Sequence, residues 1–351
     1  MAWSRLRGGV RFAVVATKIF LFEWANSMIR ILGFGFLLAI LISAVSIRTE
    51  VCAEESRVVM QRERIQFKSS MDDSIQEAIL IAPSSGKQLH KPVPLVVSLH
   101  SWSADLSQRN ELEKLVHGRG WIYLFPNFRG ANRSPQACGS RLAQQDILDA
   151  LSWVAEHYQV DAGRIYLTGT SGGGHMTMLM AARHPKLWRA ASAWVGISDL
   201  AKWHARHRDT RYGKMIEQCC GGAPGDSLQV DAQYQNRSPI TYAADARDVA
   251  IDISAGLKDG HEGSVPISHS IKVFNRIAEA RGDQPVTEIE ISQLSRPGKL
   301  EPARAGDEGF DPTFNRKYFL RRHSGKARLT IFDGGHEGIA SATIAWFEKH
   351  P

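Results

Sequence analysis

The stretch Arg164-Ile-Tyr-Leu-Thr-Gly-Thr-Ser-Gly-Gly-Gly-His-Met-Thr-Met178 decides the fold. Its first five residues are mostly apolar and predict a buried strand, and the residues from Gly173 onward predict a helix. Between them lies a G-x-S-x-G pattern centred on Ser171, in which small residues on both sides of the serine permit a sharp reversal of the chain. We therefore expect the Ser171 hydroxyl to stand clear of a sheet and to act as a nucleophile.

A phosphate-binding turn is the competing interpretation of the same glycines. The stretch does not have the G-x-G-x-x-G spacing of a dinucleotide site, and no lysine follows it as a P-loop requires. The strand before the serine and the helix after it favour the nucleophile.

Strand-like and helix-like segments alternate on both sides of this turn, after a predicted antiparallel strand pair. The predicted strands are residues 64–67, 77–82, 94–100, 121–125, 164–167, 190–195, 249–254 and 327–332. The predicted helices are residues 106–117, 142–158, 173–184, 267–280 and 339–350. This alternation predicts an α/β fold with a mostly parallel, doubly wound sheet that carries helices on both faces.

Two long stretches interrupt the alternation. Residues 199–246 are aromatic and basic, and residues 288–328 are polar and rich in Gly, Pro and Arg. We expect both to leave the core sheet and to form a lid-like insertion or a substrate wall. In the first stretch, His204 and His207 could mimic a metal pair, but no third ligand is evident. We therefore predict no metal and no cofactor.

A serine nucleophile needs a base, and a carboxylate must orient that base. His336 comes directly after the predicted strand that ends at Phe332, so its loop should reach the same edge of the sheet as Ser171. His261 also follows a strand and is the competing base.

For the acid we favour Asp259, which follows the strand at residues 249–254 through a short loop. Glu262 is the fallback. Asp333 lies so near to His336 in the sequence that it could not easily reach around to the imidazole, and we interpret it as a turn residue.

An oxyanion hole needs two donors, and both are predicted to be backbone N–H groups. One belongs to Gly172, the residue after the nucleophile, and the other to Trp102 in the loop after the strand at residues 94–100. The Trp102 ring would then wall the acyl pocket, although a packed core aromatic is the alternative. Arg129 and Trp203 are further candidates for substrate contact.

Together these segments resemble the catalytic domain of the prolyl oligopeptidase family of α/β-hydrolases. Pro126-Asn-Phe-Arg-Gly130 precedes the serine motif, and Ala255-Gly-Leu-Lys-Asp259 with Val265-Pro266 is similar to the family's Gly-x-x-Asp-x-x-Val-Pro segment. His336 matches its C-terminal histidine. The resemblance covers about residues 90–350 and implies an α/β-hydrolase fold. It also implies a serine hydrolase, either a serine-type peptidase or a carboxylesterase, with a Ser-Asp-His triad.

The sequence departs from the family pattern at three places. His100-Ser-Trp102 replaces the usual His-Gly-Gly, the acid loop carries the extra residues 260–264, and we expect no β-propeller ahead of the catalytic domain. These departures fit a stand-alone esterase or deacylase as well as a peptidase, so we expect a small-molecule, ester or peptide substrate. The alternative function is an inactive hydrolase fold that serves as a binding protein.

The net charge of +7 raises the possibility of a nucleic-acid partner. Residues 1–53 account for +4 of it, which leaves +3 for the other 298 residues, and no block of five or six like charges occurs. We therefore predict no nucleic-acid partner.

The basic head instead predicts export. An uncharged apolar run at residues 31–47 is followed by Val51-Cys-Ala53, a plausible cleavage site for signal peptidase. We expect a signal peptide or N-terminal anchor in residues 1–53 and one hydrolase domain in residues 54–351. The protein would then be periplasmic or secreted, and would touch a membrane only if the head stays uncleaved. Met28 competes with Met1 as the true start.

Export would also allow a disulfide. Cys138 could pair with Cys219 or Cys220, although all three could also remain unpaired.

Overall fold

The computed structural model describes residues 59–84, 91–296 and 298–351. The targeting segment predicted for residues 1–53 lies outside these residues. Within them, every helix is too short or too polar to cross a membrane.

In the described part of the chain, ten strands form a single mixed sheet. They are β1 Met60–Lys68, β2 Ile75–Pro83, β3 Val93–Leu99, β4 Ile122–Pro126, β5 Val160–Thr170, β6 Ala190–Trp194, β7 Ile251–Gly256, β8 Gly309–Asp311, β9 Arg316–Ser324 and β10 Ala327–Phe332. Their order across the sheet is β1-β2-β4-β3-β5-β6-β7-β10-β9-β8. The six middle strands, β4-β3-β5-β6-β7-β10 in their order across the sheet, pair in parallel. Strands β1 and β2 at one edge, and β9 and β8 at the other, pair antiparallel.

Helices cover both faces of this sheet. They are α1 Leu112–His117, α2 Arg141–His157, α3 Gly172–Arg183, α4 Leu200–His207, α5 Arg211–Cys220, α6 Leu228–Arg237, α7 Ser268–Arg281, α8 Glu288–Ser295 and α9 Ala340–Glu348. Helices α2, α3 and α7 pack into one hydrophobic cluster, while α1 and α9 pack into another. The predicted α/β fold with a mostly parallel, doubly wound sheet is confirmed.

The central strand β3 shows why its sequence is apolar throughout. Leu95 and Val97 belong to the cluster under α2, α3 and α7, whereas Val96 belongs to the cluster under α1 and α9. Successive side chains of a strand point to opposite faces, so a strand that is covered on both faces needs apolar residues at every position.

The two predicted excursions have different outcomes. Residues 199–246 do leave the sheet and form α4, α5 and α6 with a small core of their own. The prediction for residues 288–328 is wrong in its second half, because β8 and β9 extend the sheet beyond β10. β9 is only partly buried, and five of its nine residues are basic, so its composition resembles that of a loop.

Arg129 is part of a buried ion cluster and is not free to contact a substrate. Its Nε donates to Asp146 at 2.5 Å, its Nη1 donates to Asp72 at 2.7 Å, and its Nη2 donates to Ser69 at 3.0 Å. The predicted substrate contact of Arg129 is therefore wrong. The guanidinium instead ties the β1–β2 turn to α2, and its hydrogen bonds hold the pKa of Asp72 well below the usual range.

This cluster yields the first prediction. We expect Arg129→Met to lower the free energy of unfolding by about 3–5 kcal/mol, because it leaves the fully buried Asp146 carboxylate without its cation. Lys68→Met is the matched control, since Lys68 and Asp73 form an exposed ion pair close to the same turn. Urea denaturation of both variants measures the difference. Equal losses in the two variants would contradict the assignment.

Candidate active site

Ser171 lies at the sharp turn between β5 and α3. Its backbone has φ 61° and ψ −115°, a strained conformation for a residue with a side chain, and its N–H donates to the Trp194 carbonyl at 2.9 Å. The turn closes only because the flanking residues are glycines. A Cβ on Gly169 would lie 2.5 Å from the carbonyl carbon of Gly173, and one on Gly173 would overlap the Leu99 carbonyl oxygen.

The structure brings the predicted nucleophile, base and acid together. His336 Nε2 lies 2.8 Å from Ser171 Oγ, and His336 Nδ1 lies 2.8 Å from Asp259 Oδ2. Ser171 and Asp259 are buried, and the His336 side chain is a quarter exposed. The competing His261 and the fallback Glu262 are both exposed at the surface.

The acid and base loops leave the same edge of the sheet because β7 and β10 are parallel neighbours. Two backbone hydrogen bonds join the loops where they begin, from Leu257 to the Phe332 carbonyl at 2.8 Å and from Lys258 to the Gly334 carbonyl at 3.0 Å. These backbone hydrogen bonds hold the loop of Asp259 beside the loop of His336, independently of the contact between their side chains.

The extra residues of the acid loop wrap around the Asp259 carboxylate. Oδ1 accepts the N–H of Gly260 at 2.9 Å and that of Val265 at 3.0 Å, so the two ends of the loop meet at one oxygen. The other oxygen, Oδ2, is left for His336. The insertion of residues 260–264 is therefore compatible with the arrangement of the three side chains.

Helix α4 holds this acid loop from outside. Trp203 Nε1 and His207 Nε2 both lie within hydrogen-bond distance of the Ser264 carbonyl, at 2.9 and 2.7 Å, and Arg206 donates to the Gly260 carbonyl. His204 faces elsewhere and bonds to Glu217 at 2.7 Å. The two histidines therefore have separate protein partners.

The predicted role of Trp203 in substrate contact is wrong, because its ring is fully buried. It packs against the Trp102 ring at a centroid distance of 4.7 Å. The Trp102 ring is itself only 2% exposed and forms part of the core under α4 to α6. These two rings join the insertion to the loop after β3.

The backbone of Trp102 lies beside Gly172, as an oxyanion hole requires. A Cβ on Gly172 would overlap the Trp102 backbone nitrogen, so only glycine allows this approach. The loop is held by His100, whose Nε2 lies 2.9 Å from the Asn127 carbonyl and whose ring stacks on Phe128 at 3.9 Å. The two predicted donors are therefore adjacent.

A second ion pair holds the base loop, and the sequence did not point to it. Arg316 on β9 binds both carboxylate oxygens of Glu337, at 2.5 and 2.9 Å, and Glu337 Oε1 also accepts the Gly335 N–H at 3.1 Å. Their mutual hydrogen bonds raise the pKa of Arg316 and lower the pKa of Glu337. The sequence offered one signal for this pair, a glutamate directly after His336. Its partner Arg316 could not be recognised, because β9 lies in the stretch that was predicted to leave the sheet.

The three cysteines in the described part of the chain are free thiols, so the disulfide considered for Cys138 is not formed. Cys138, Cys219 and Cys220 are all buried in the core under α4 to α6. Burial raises the pKa of Cys138, and it raises the pKa of Cys220 to about 12. These thiols pack as small hydrophobic side chains.

Comparison with known proteins assigns the chain to a family. The model of the prolyl oligopeptidase family matches residues 108–293, more than half of the chain. The chain belongs to the prolyl oligopeptidase family. Among its relatives, acetylxylan esterase A of Emericella nidulans is 43% identical over 51 residues, covering 14% of this chain and 17% of that protein. Acylamino-acid-releasing enzyme 2 of Oryza sativa subsp. japonica is 22% identical over 264 residues, covering 70% and 32%.

Solved structures show the same fold. A puromycin-hydrolysing peptidase of Mycobacterium tuberculosis matches with a TM-score of 0.57 at 15% identity, over 84% of this chain and 40% of that one. The acylaminoacyl peptidase of Pyrococcus horikoshii matches with a TM-score of 0.52 at 19% identity, over 67% and 37%. The chain thus spans well under half of the length of these relatives.

The serine turn yields the second prediction. We expect Gly173→Ala to lower the free energy of unfolding by about 3 kcal/mol or more, because its Cβ would overlap backbone atoms that cannot move aside. Gly335→Ala is the control, since a Cβ there meets open space. Urea denaturation compares the two variants. A Gly173→Ala protein as stable as the control would show that the turn is packed less tightly than described.

Proposed function

We propose that this protein is a serine hydrolase that cleaves an ester or amide bond through an acyl-enzyme on Ser171. The observation that carries the proposal is the continuous chain of hydrogen bonds from Ser171 through His336 to Asp259, at 2.8 and 2.8 Å. Family membership supports the same class of reaction.

In the first step, His336 Nε2 takes the proton of Ser171 Oγ while Oγ attacks the substrate carbonyl. In this proposal the backbone N–H groups of Gly172 and Trp102, whose backbones lie side by side, stabilise the oxyanion of the tetrahedral intermediate. His336 then gives the proton to the leaving group, and the acyl group remains on Ser171. In the second step, His336 takes a proton from a water molecule that attacks the acyl group. It then returns this proton to Ser171 Oγ, and the carboxylic acid product leaves.

Asp259 orients the imidazole and stabilises its protonated form. Because Oδ1 is held by two backbone N–H groups, the carboxylate cannot rotate away from His336. The Nδ1–H of His336 therefore remains hydrogen-bonded to Asp259, and Nε2 remains free to accept the serine proton. These side chains perform the proposed steps without a metal or cofactor.

The relatives support two kinds of substrate. Those named acetylxylan esterases favour small carboxylic esters, and those named acylamino-acid-releasing enzymes favour acylated peptides. We propose an ester or peptide substrate bound between the serine turn and the insertion of α4 to α6. The apolar run at residues 31–47 supports export to the periplasm or medium, with membrane contact only through an uncleaved head.

A fluorophosphonate probe tests the nucleophile directly. We expect it to label the wild-type chain, and we expect Ser171→Ala to lose the label and to lower kcat/KM by about 10⁴-fold or more. Ser152→Ala, an exposed serine on α2, is the control and should label normally. A wild-type chain that is folded but unlabelled would favour the inactive binding protein.

A substrate panel then separates the two kinds of bond. p-Nitrophenyl acetate, a feruloyl ester and N-acetylated amino-acid anilides cover the classes that the relatives suggest. Turnover of the esters alone would assign an esterase, and turnover of the anilides would assign a peptidase. Labelled protein without turnover of any of them would count against both substrate classes.

The Arg316–Glu337 pair yields the fourth prediction. We expect Glu337→Gln to lower kcat roughly ten- to hundredfold with little change in KM, because the His336 loop loses its anchor while the substrate site is untouched. Glu348→Gln on α9 is the control, since that carboxylate pairs with Arg119 at the surface. Stopped assays over a range of substrate concentrations separate the two constants. A change confined to KM would show that Glu337 contacts substrate.

A further inference from the structure

A cavity of about 240 Å³ lies outside the triad. It opens between α4, the start of α7 and the 3₁₀ turn at residues 239–241. Pro266, in its wall, lies beside Gly260 at the start of the acid loop. The cavity is smaller than a typical drug-sized site, so it suits a small ligand or one group of a larger one.

The lining of this cavity is strongly positive. Lys202 and Arg206 on α4 and Lys272 on α7 contribute three cations, and Asp199 is the one acid among the lining residues. Both carboxylate oxygens of Asp199 already have partners. Oδ1 caps α4 by accepting the Lys202 N–H at 3.0 Å, and Oδ2 lies 3.5 Å from Lys202 Nζ. The positive charge therefore exceeds the negative charge that faces it.

The other ion pair in the wall is weak. Lys272 Nζ lies 3.4 Å from Glu288, whose side chain is 77% exposed, so solvent screens the contact. Arg206 bonds to the Gly260 carbonyl, which is a neutral acceptor. Lys272 can therefore turn to a better partner at little cost, and Arg206 can keep its bond to Gly260 through Nη2 while its other N–H groups donate to an anion.

A buried histidine adds a neutral donor. His269 Nδ1 accepts the backbone N–H of Ser198 at 3.2 Å and that of Asp199 at 3.4 Å, which places its own proton on Nε2. Burial, together with the neighbouring lysines and Arg206, lowers the pKa of His269 to about 4. The imidazole is thus uncharged at neutral pH and offers an N–H group where it lines the cavity.

We propose that this cavity binds an oxyanion, a carboxylate or phosphate group, through Lys202, Arg206, Lys272 and His269. Ser268, the first residue of α7, lies in the same wall, and a helix N-terminus favours negative charge. Arg206 links the site to the acid loop, so a bound anion would act on the segment that carries Asp259.

Titration calorimetry of the full chain with sodium phosphate and with sodium succinate, at constant ionic strength, tests the proposal. We expect saturable binding of at least one of them to the wild type. Lys202→Gln and Lys272→Gln should each weaken it about tenfold, the loss expected for one charge-assisted hydrogen bond. Both lysines are at least a third exposed, so neither variant should fail to fold.

Lys214→Gln removes the same charge from an exposed site on α5 and should bind like the wild type. The ¹⁵N resonance of His269 Nε2 should shift on binding, which locates the ligand. Absence of saturable binding by the wild type, or equal binding by all variants, would overturn the proposal. Neither result would bear on the hydrolase, because the measurement needs no turnover.

Inhibition kinetics then identify the source of the anion, and this arm alone rests on the proposed hydrolase activity. Phosphate that competes with p-nitrophenyl succinate, but not with p-nitrophenyl acetate, would assign the cavity to an acidic group of the substrate. Phosphate that changes kcat with both esters equally would assign it to a separate small anion. Either pattern supports an oxyanion site.

Discussion

The arrangement of the site depends on the two backbone hydrogen bonds that hold Asp259 Oδ1. They come from both ends of the acid loop, so the conformation of the loop also fixes the orientation of the carboxylate. A buried carboxylate without such partners would be costly, and its orientation would be free. With them, Oδ2 can face only His336, and the imidazole in turn faces Ser171.

The supports around the triad come from outside the parallel core. Helix α4 holds the acid loop at the Gly260 and Ser264 carbonyls, and β9 holds the base loop through Arg316 and Glu337. The insertion of α4 to α6 thus has a structural role as well as its proposed role at the substrate site. Helix α4 of the insertion also forms one wall of the cavity lined by Lys202, Arg206 and Lys272, which places the proposed anion site next to the acid loop.

Local patterns predicted the core strands and the serine turn because each depends on one segment, and they predicted the acid and the base because each follows a recognisable strand. A strand buried on both faces must be apolar throughout, and a serine turn must have small neighbours, so both are visible in short windows. The order of strands then places Asp259 and His336 at the edge that carries Ser171. Strand β9, which lies next to the edge strand β8, was missed because five of its nine residues are basic, as in a surface loop. Arg129 and Trp203 were misassigned because polarity and aromaticity are equally compatible with burial in an ion cluster or a core.

The sequence by itself determined the fold class, the nucleophile turn and the residue types of the triad, because these follow from hydrophobic periodicity and from the spacing of a few residues. Only the tertiary structure decided which contacts hold those residues in place. The Arg316–Glu337 pair, the contact of α4 with the acid loop and the three cations of the cavity each bring together residues from different elements of the fold. Such contacts depend on the positions of separate loops, strands and helices in space, which a local pattern of residues does not determine.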